Sequence, residues 1–176
     1  EMFSASNDLG GLEVQLCYFR GFKEFDHTPW LSNTTALRQH MTGVHCLGGH
    51  TQIERILRHA IDETRRTRIN AVVFVGDCCE ENVDDLCSGA GQLGVLGVPL
   101  FIFQEGNDLH ASQVFRQMAV LSQGAYCHFD SSSAQQLRDL MGAVAVYATG
   151  GRQALENYSK QRGDSLLQLS HQLPKT

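Results

Sequence analysis

The sequence predicts an α/β fold, a doubly wound and mostly parallel sheet with helices on both faces, and three observations carry that reading. Apolar runs with little alternation recur at residues 70–75 and 98–103, as strands buried on both faces require. Between them lie stretches with helical spacing, clearest at Ile53, Ile56, Leu57, Ala60 and Ile61, which fall at i, i+3, i+4, i+7 and i+8. Strands alternating with helices in this way are parallel neighbours, because each parallel pair needs a crossover and the crossovers cover the faces.

In chain order, residues 12–19 alternate and are enriched in strand formers (Leu12, Val14, Leu16, Tyr18), and 24–31 form a weaker extended stretch ended by Pro29 and Trp30. Together they read as a hairpin. A short helix is expected over 36–41, followed by the loop Leu47-Gly48-Gly49-His50-Thr51-Gln52 and the helix that starts at Ile53. The valine-rich strand 70–75 ends just before Asp77. A helix over 82–92 leads through a glycine-rich turn to strand 98–103, and a helix with Ala111, Val114, Phe115, Met118 and Ala119 on one face precedes a strand at 125–129. Residues 132–149 carry Ala134, Leu137, Leu140, Met141, Val144 and Ala145 in helical register. Gly150-Gly151 closes the regular pattern, dividing the chain into an α/β domain over 1–149 and a helical or flexible tail over 150–176.

A chain of 176 residues, 42% hydrophobic and 19% charged, suits one ordinary domain with a real core. The formal charge of −5, without basic runs, argues against nucleic acid and anionic membranes as partners. No stretch of about 18 apolar residues and no basic-then-apolar leader is present, so a soluble, cytoplasmic protein is expected. The six cysteines form no C-x-x-C pair and read as free thiols in a reducing compartment. The sequons at Asn33 and Asn157 read as chance matches to a short pattern.

Two polar loops carry the chemistry. The glycine loop ending in Thr51 opens one helix, and Val75-Gly76-Asp77-Cys78-Cys79-Glu80 closes a buried strand, so both should reach the carboxyl edge of one sheet, where open α/β sheets bind ligands. A hydroxyl from Thr51 and a carboxylate from Asp77 are hard oxygen donors suited to Mg²⁺, Mn²⁺ or Ca²⁺. Thr51-Gln52-Ile53-Glu54 is also a capping box. Glu80, Glu81, Asp84 and Asp85 read as a solvated acidic first turn. Gly89-Ala90-Gly91-Gln92-Leu93-Gly94 matches G-x-G-x-x-G but follows a helix instead of a strand, and is assigned to a helix-to-strand turn. His40, His45, His50 and His59 fit no usual zinc spacing. Cys78 or Cys79 with His50 as base would make a thiol-dependent hydrolase.

This order of elements resembles a von Willebrand factor A domain. The Gly-Gly-x-Thr loop and the strand ending in an aspartate loop match two parts of that family's metal-ion-dependent adhesion site, with Thr51 and Asp77 at the matching positions. The resemblance spans residues 1–149 and implies that 12–19 is the family's second strand and 24–31 its antiparallel edge strand. Two departures stand out: the family's Asp-Gly is Asp77-Cys78 here, and its first strand with an Asp-x-Ser-x-Ser loop has no counterpart, residues 1–8 reading as the tail of the helix after it. The chain is therefore expected to be a fragment. A sheet without its central strand leaves unpaired backbone groups costing on the order of 1 to 3 kcal/mol each, so something must fill the gap. The function implied is a protein-binding module that captures a partner's acidic side chain through a divalent cation, with poor metal affinity when only Thr51 and Asp77 are present.

Overall fold

The computed structural model describes residues 11–45, 47–129, 134–162 and 164–174. Its elements are strands β1 (Cys17–Arg20) and β2 (Glu24–His27), helices α1 (Thr34–Gly43) and α2 (Ile53–Arg66), and then β3 (Val72–Gly76), α3 (Val83–Val95), β4 (Leu100–Glu105), α4 (Leu109–Leu121), β5 (Ala125–Phe129), α5 (Ala134–Arg162) and α6 (Asp164–Gln172). The alternation of strands and helices from α2 onward follows the expected order. The residues expected to form the first helix tail, 1–8, lie outside the described residues.

The strands form two sheets instead of one. β3, β4 and β5 make a parallel sheet in that order, with Val72 opposite Leu100 and Phe101 opposite Ala125. β1 and β2 form a separate antiparallel hairpin, extended by a bridge between Val14 and Leu31. The expected hairpin therefore forms, while a single doubly wound sheet is not seen among the described residues.

Helices cover both faces of the parallel sheet. Alternate residues Phe74, Leu100, Ile102 and Tyr126 pack against α2, α3 and α4, whose Leu57, Leu86, Leu93 and Phe115 are fully or almost fully buried. The opposite face presents Phe101, Phe103 and Ala125 to Leu140, Val144 and Leu155 of α5 and Leu166 and Leu169 of α6. The period of two along each strand thus serves two cores at once.

Two expectations need correction. The glycine motif 89–94 lies inside α3, not in a turn, because small residues let α3 approach its neighbours: a Cβ on Gly94 would meet the Leu121 carbonyl oxygen at 2.3 Å. The helical register also does not end at Gly150. α5 continues to Arg162 across a kink at Gly151 (φ 68°, ψ −168°), and Leu155, Leu166, Leu169 and Leu173 of the segment after it dock into the second core.

Candidate functional site

The sequence places Thr51 before α2 and Asp77 after β3, and the structure joins these two loops. The Thr51 N–H donates to Glu80 Oε2 at 3.2 Å, and the Glu80 N–H donates back to Thr51 Oγ1 at 3.2 Å. His50 Nδ1 lies 3.0 Å from the same Glu80 oxygen. Thr51 and Asp77 consequently stand at one rim, at the carboxyl end of β3, and both line the same cleft. Gly49 is required beside them, since a Cβ there would lie 1.9 Å from the Gly21 carbonyl oxygen.

The capping box does not form. Helix α2 begins at Ile53, and its N-cap residue Gln52 makes no side-chain cap. Glu81 supplies the cap from the other loop: the Ile53 N–H donates to Oε1 at 2.5 Å and the Glu54 N–H to Oε2 at 2.9 Å. A carboxylate at a helix N-terminus satisfies orphan amides and complements the helix dipole. Glu80 and Glu81 are thus engaged in holding α2 to the loop after β3, which corrects their reading as a solvated acidic turn. Asp84 and Asp85 keep that role, and Asn82 caps α3 by accepting from both of their amides.

A third loop completes the rim. Buried Gln104 at the end of β4 donates to the Asp108 carbonyl at 2.9 Å and accepts from Ser112 at 2.8 Å and from the Tyr126 hydroxyl at 2.7 Å. This fixes the start of α4 beside Glu105, another lining residue of the cleft.

The rim is electronegative. Burial, a hydrogen bond to Asp77, and the charges of Asp77, Glu80 and Asp108 together push the Cys78 thiol up to about 11. Burial also raises Cys79, which is 6% exposed. Glu80 is held below the usual carboxylate range by His50 and the Thr51 amide. These effects favour a cation and oppose a thiolate nucleophile.

Asp77 is exposed, and the Thr51 hydroxyl keeps a free lone pair after accepting from Glu80. The two residues fit a hard divalent cation in kind but not in number. Such ions take six or more oxygen ligands, and no group of three or more His, Cys, Asp or Glu side chains among the described residues is placed to hold a metal. The five described cysteines are free. No helix among the described residues is long and apolar enough to cross a membrane.

Sequence reasoning missed the Glu81 cap and the His50–Glu80 contact, which join residues about thirty positions apart. It also missed a second cluster, in which the rings of His27 and His59 stack at 4.4 Å and His59 Nε2 lies 2.8 Å from Gln15 Oε1. Compared with known protein families, curated proteins and solved structures, the chain matches none.

Proposed function

We propose that the chain is a cytoplasmic protein-interaction module of the von Willebrand A type, its two sheets being parts of one doubly wound sheet. Its carboxyl rim would contribute Thr51 and Asp77 as two ligands of a divalent cation, Mg²⁺, Mn²⁺ or Ca²⁺, and an acidic side chain of a partner protein would complete the shell. The observation that carries this reading is the reciprocal Thr51–Glu80 clasp, which brings the hydroxyl loop and the Asp77 loop to one electronegative rim. Residual positive charge on a cation held by so few carboxylates is what would attract the partner's carboxylate.

Two ligands give weak binding, so the test is one that detects weak binding. In Mn²⁺ titrations followed by amide NMR, paramagnetic broadening is expected first at residues 50–52 and 76–80, and Asp77→Ala should remove it. Broadening of equal strength at Asp84 and Asp85, or broadening unaffected by Asp77→Ala, would contradict the reading. The thiol-hydrolase alternative draws no support from the raised thiol pKa values of Cys78 and Cys79, since an activated nucleophile needs a depressed one.

A further inference from the structure

The parallel sheet ends at β5, and one side chain closes its outer edge. Among the described residues no strand pairs with β5 on the side away from β4. The Tyr126 N–H donates to Gln172 Oε1 at 2.9 Å, and Gln172 Nε2 donates to the Tyr126 carbonyl at 3.0 Å. Tyr126 therefore directs both backbone groups outward. Alternate residues of a parallel strand bond to each side, so Ala125, Cys127 and Phe129 serve β4 while His128 faces outward with Tyr126. Gly124, just before the strand, has already given its N–H to the Ala119 carbonyl at 2.8 Å.

Gln172 is held in place for this contact. It is the last residue of α6, whose Leu166 and Leu169 are buried in the second core together with Leu173 just beyond, although Gln172 itself is exposed. Arg152, directly after the Gly151 kink, donates to the carbonyl oxygens of Leu173, at 2.7 Å, and of Pro174. Gln172 Nε2 also reaches the Gln168 carbonyl at 3.3 Å, so an exposed amide that water could serve is spent on the protein. Two bonds exchanged with a single residue are the hydrogen-bonded pair of an antiparallel ladder; in a parallel ladder those bonds go to two different residues. The side chain thus stands where an antiparallel strand would.

We propose that the β5 edge is a self-association surface which Gln172 keeps closed: without that amide, β5 pairs antiparallel with β5 of a second copy of this chain. An open strand edge is a template for further pairing, and proteins blunt such edges with specific side chains. A second copy is the occupant because a two-fold axis makes this edge complementary to itself in the antiparallel sense that the clasp already imitates. With the axis at Cys127, Tyr126 of each copy meets His128 of the other, and the outward N–H and C=O groups of both residues are all paired. An axis at Tyr126 would set His128 against Gly124, whose N–H is taken. Only two residues per copy bond across the axis, so the ladder is weak, and one intramolecular amide at high effective concentration displaces it.

The test uses the full chain in EDTA, since β5 lies at the other edge of the sheet from β3 and its pairing owes nothing to a rim cation. In sedimentation equilibrium, Gln172→Ala should dimerise at least about tenfold more tightly than the unaltered chain, with the melting temperature nearly unchanged because the buried leucines still hold α6. Its Tyr126 amide should exchange fast in dilute solution and slowly at high concentration, whereas in the unaltered chain it stays slow at both. Gln172→Glu should dimerise at about pH 7 and revert towards about pH 4, where the protonated carboxyl regains a donor for the Tyr126 carbonyl; the unaltered chain at each pH is the control. Adding His128→Pro, which removes an outward N–H but no bond to β4, should abolish dimerisation of Gln172→Ala. Equal association of the variants and the unaltered chain, a Tyr126 amide indifferent to the Gln172 substitutions, or concentration-dependent protection at Val73 and Val75 in place of Tyr126 would overturn the proposal.

Discussion

β4 and β3 are neighbouring strands of similar apolar character, yet they differ sharply in burial. Leu100 to Phe103 are all 0% exposed, while Val75 of β3 is 41% exposed and Val72 and Val73 are only half-buried. β4 has a strand on each edge; among the described residues β3 has one on β4's side only. Apolar composition therefore sets what a strand can bury, and its neighbours decide how much it does. The side of the molecule bounded by β3, α2 and the hairpin is joined by side-chain contacts: Arg55 donates to the Lys23 carbonyl at 2.7 Å, Trp30 donates to Glu63 at 3.2 Å, and Glu81 caps α2.

The contrast can be broken most directly by truncation. Phe103→Ala should cost about 3–5 kcal/mol in urea unfolding, as expected for a fully buried aromatic. Val75→Ala, one strand away, should cost about 0.5 kcal/mol or less. A cost for Val75→Ala equal to that for Phe103→Ala would mean that β3 is as enclosed as β4. Between these extremes lies Glu81→Ala, which removes the cap of α2 and should cost about 0.5–2 kcal/mol, with amide shifts concentrated in α2 and the hairpin rather than in β4.

The smallest effect is a pH dependence confined to the hairpin side. Burial first, and then the His27 ring beside it, hold the His59 imidazole below its usual value, against the pull of Glu63. With a depressed folded pKa, the unfolded chain binds the proton more readily. The stabilisation is thus full above about pH 6.5 and is lost as pH falls through the folded value. His59→Gln should flatten this acid limb in melting curves taken between about pH 7 and 5. An unchanged slope would assign the limb to other groups.

Much of this fold is legible in the sequence, because it rests on local patterns. The strand at 125–129 and the buried face of α4 at Ala111, Val114, Phe115, Met118 and Ala119 follow directly from apolar spacing. The meeting of the Thr51 and Asp77 loops follows from an amphipathic helix leading into a buried strand, which sends the start of the one and the end of the other to one edge. What stays hidden depends on contacts between distant residues. The capping box at Thr51 loses to Glu81 because a carboxylate nearly thirty residues away reaches the same amides. Gly89 to Gly94 read as a turn because they follow a helix and precede a strand, and only the closeness of Leu57 to Gly89 and of Leu121 to Gly94 shows why the helix keeps glycine at those two positions. Gly151 marks a real break in the backbone, but the leucines beyond it find a core that no local pattern announces.

Native-state amide hydrogen exchange of β3 and β4 in the unliganded chain tests the central claim, that β3 has an open edge beside the Thr51–Asp77 rim. Every amide from Phe101 to Gln104 should be strongly protected, whereas in β3 protection should alternate, with Val72 and Phe74 slow and Val73 and Val75 fast. Val73 and Val75 amides as slow as those of Phe101 and Ile102 would show that β3 is paired on both sides, and would contradict the account.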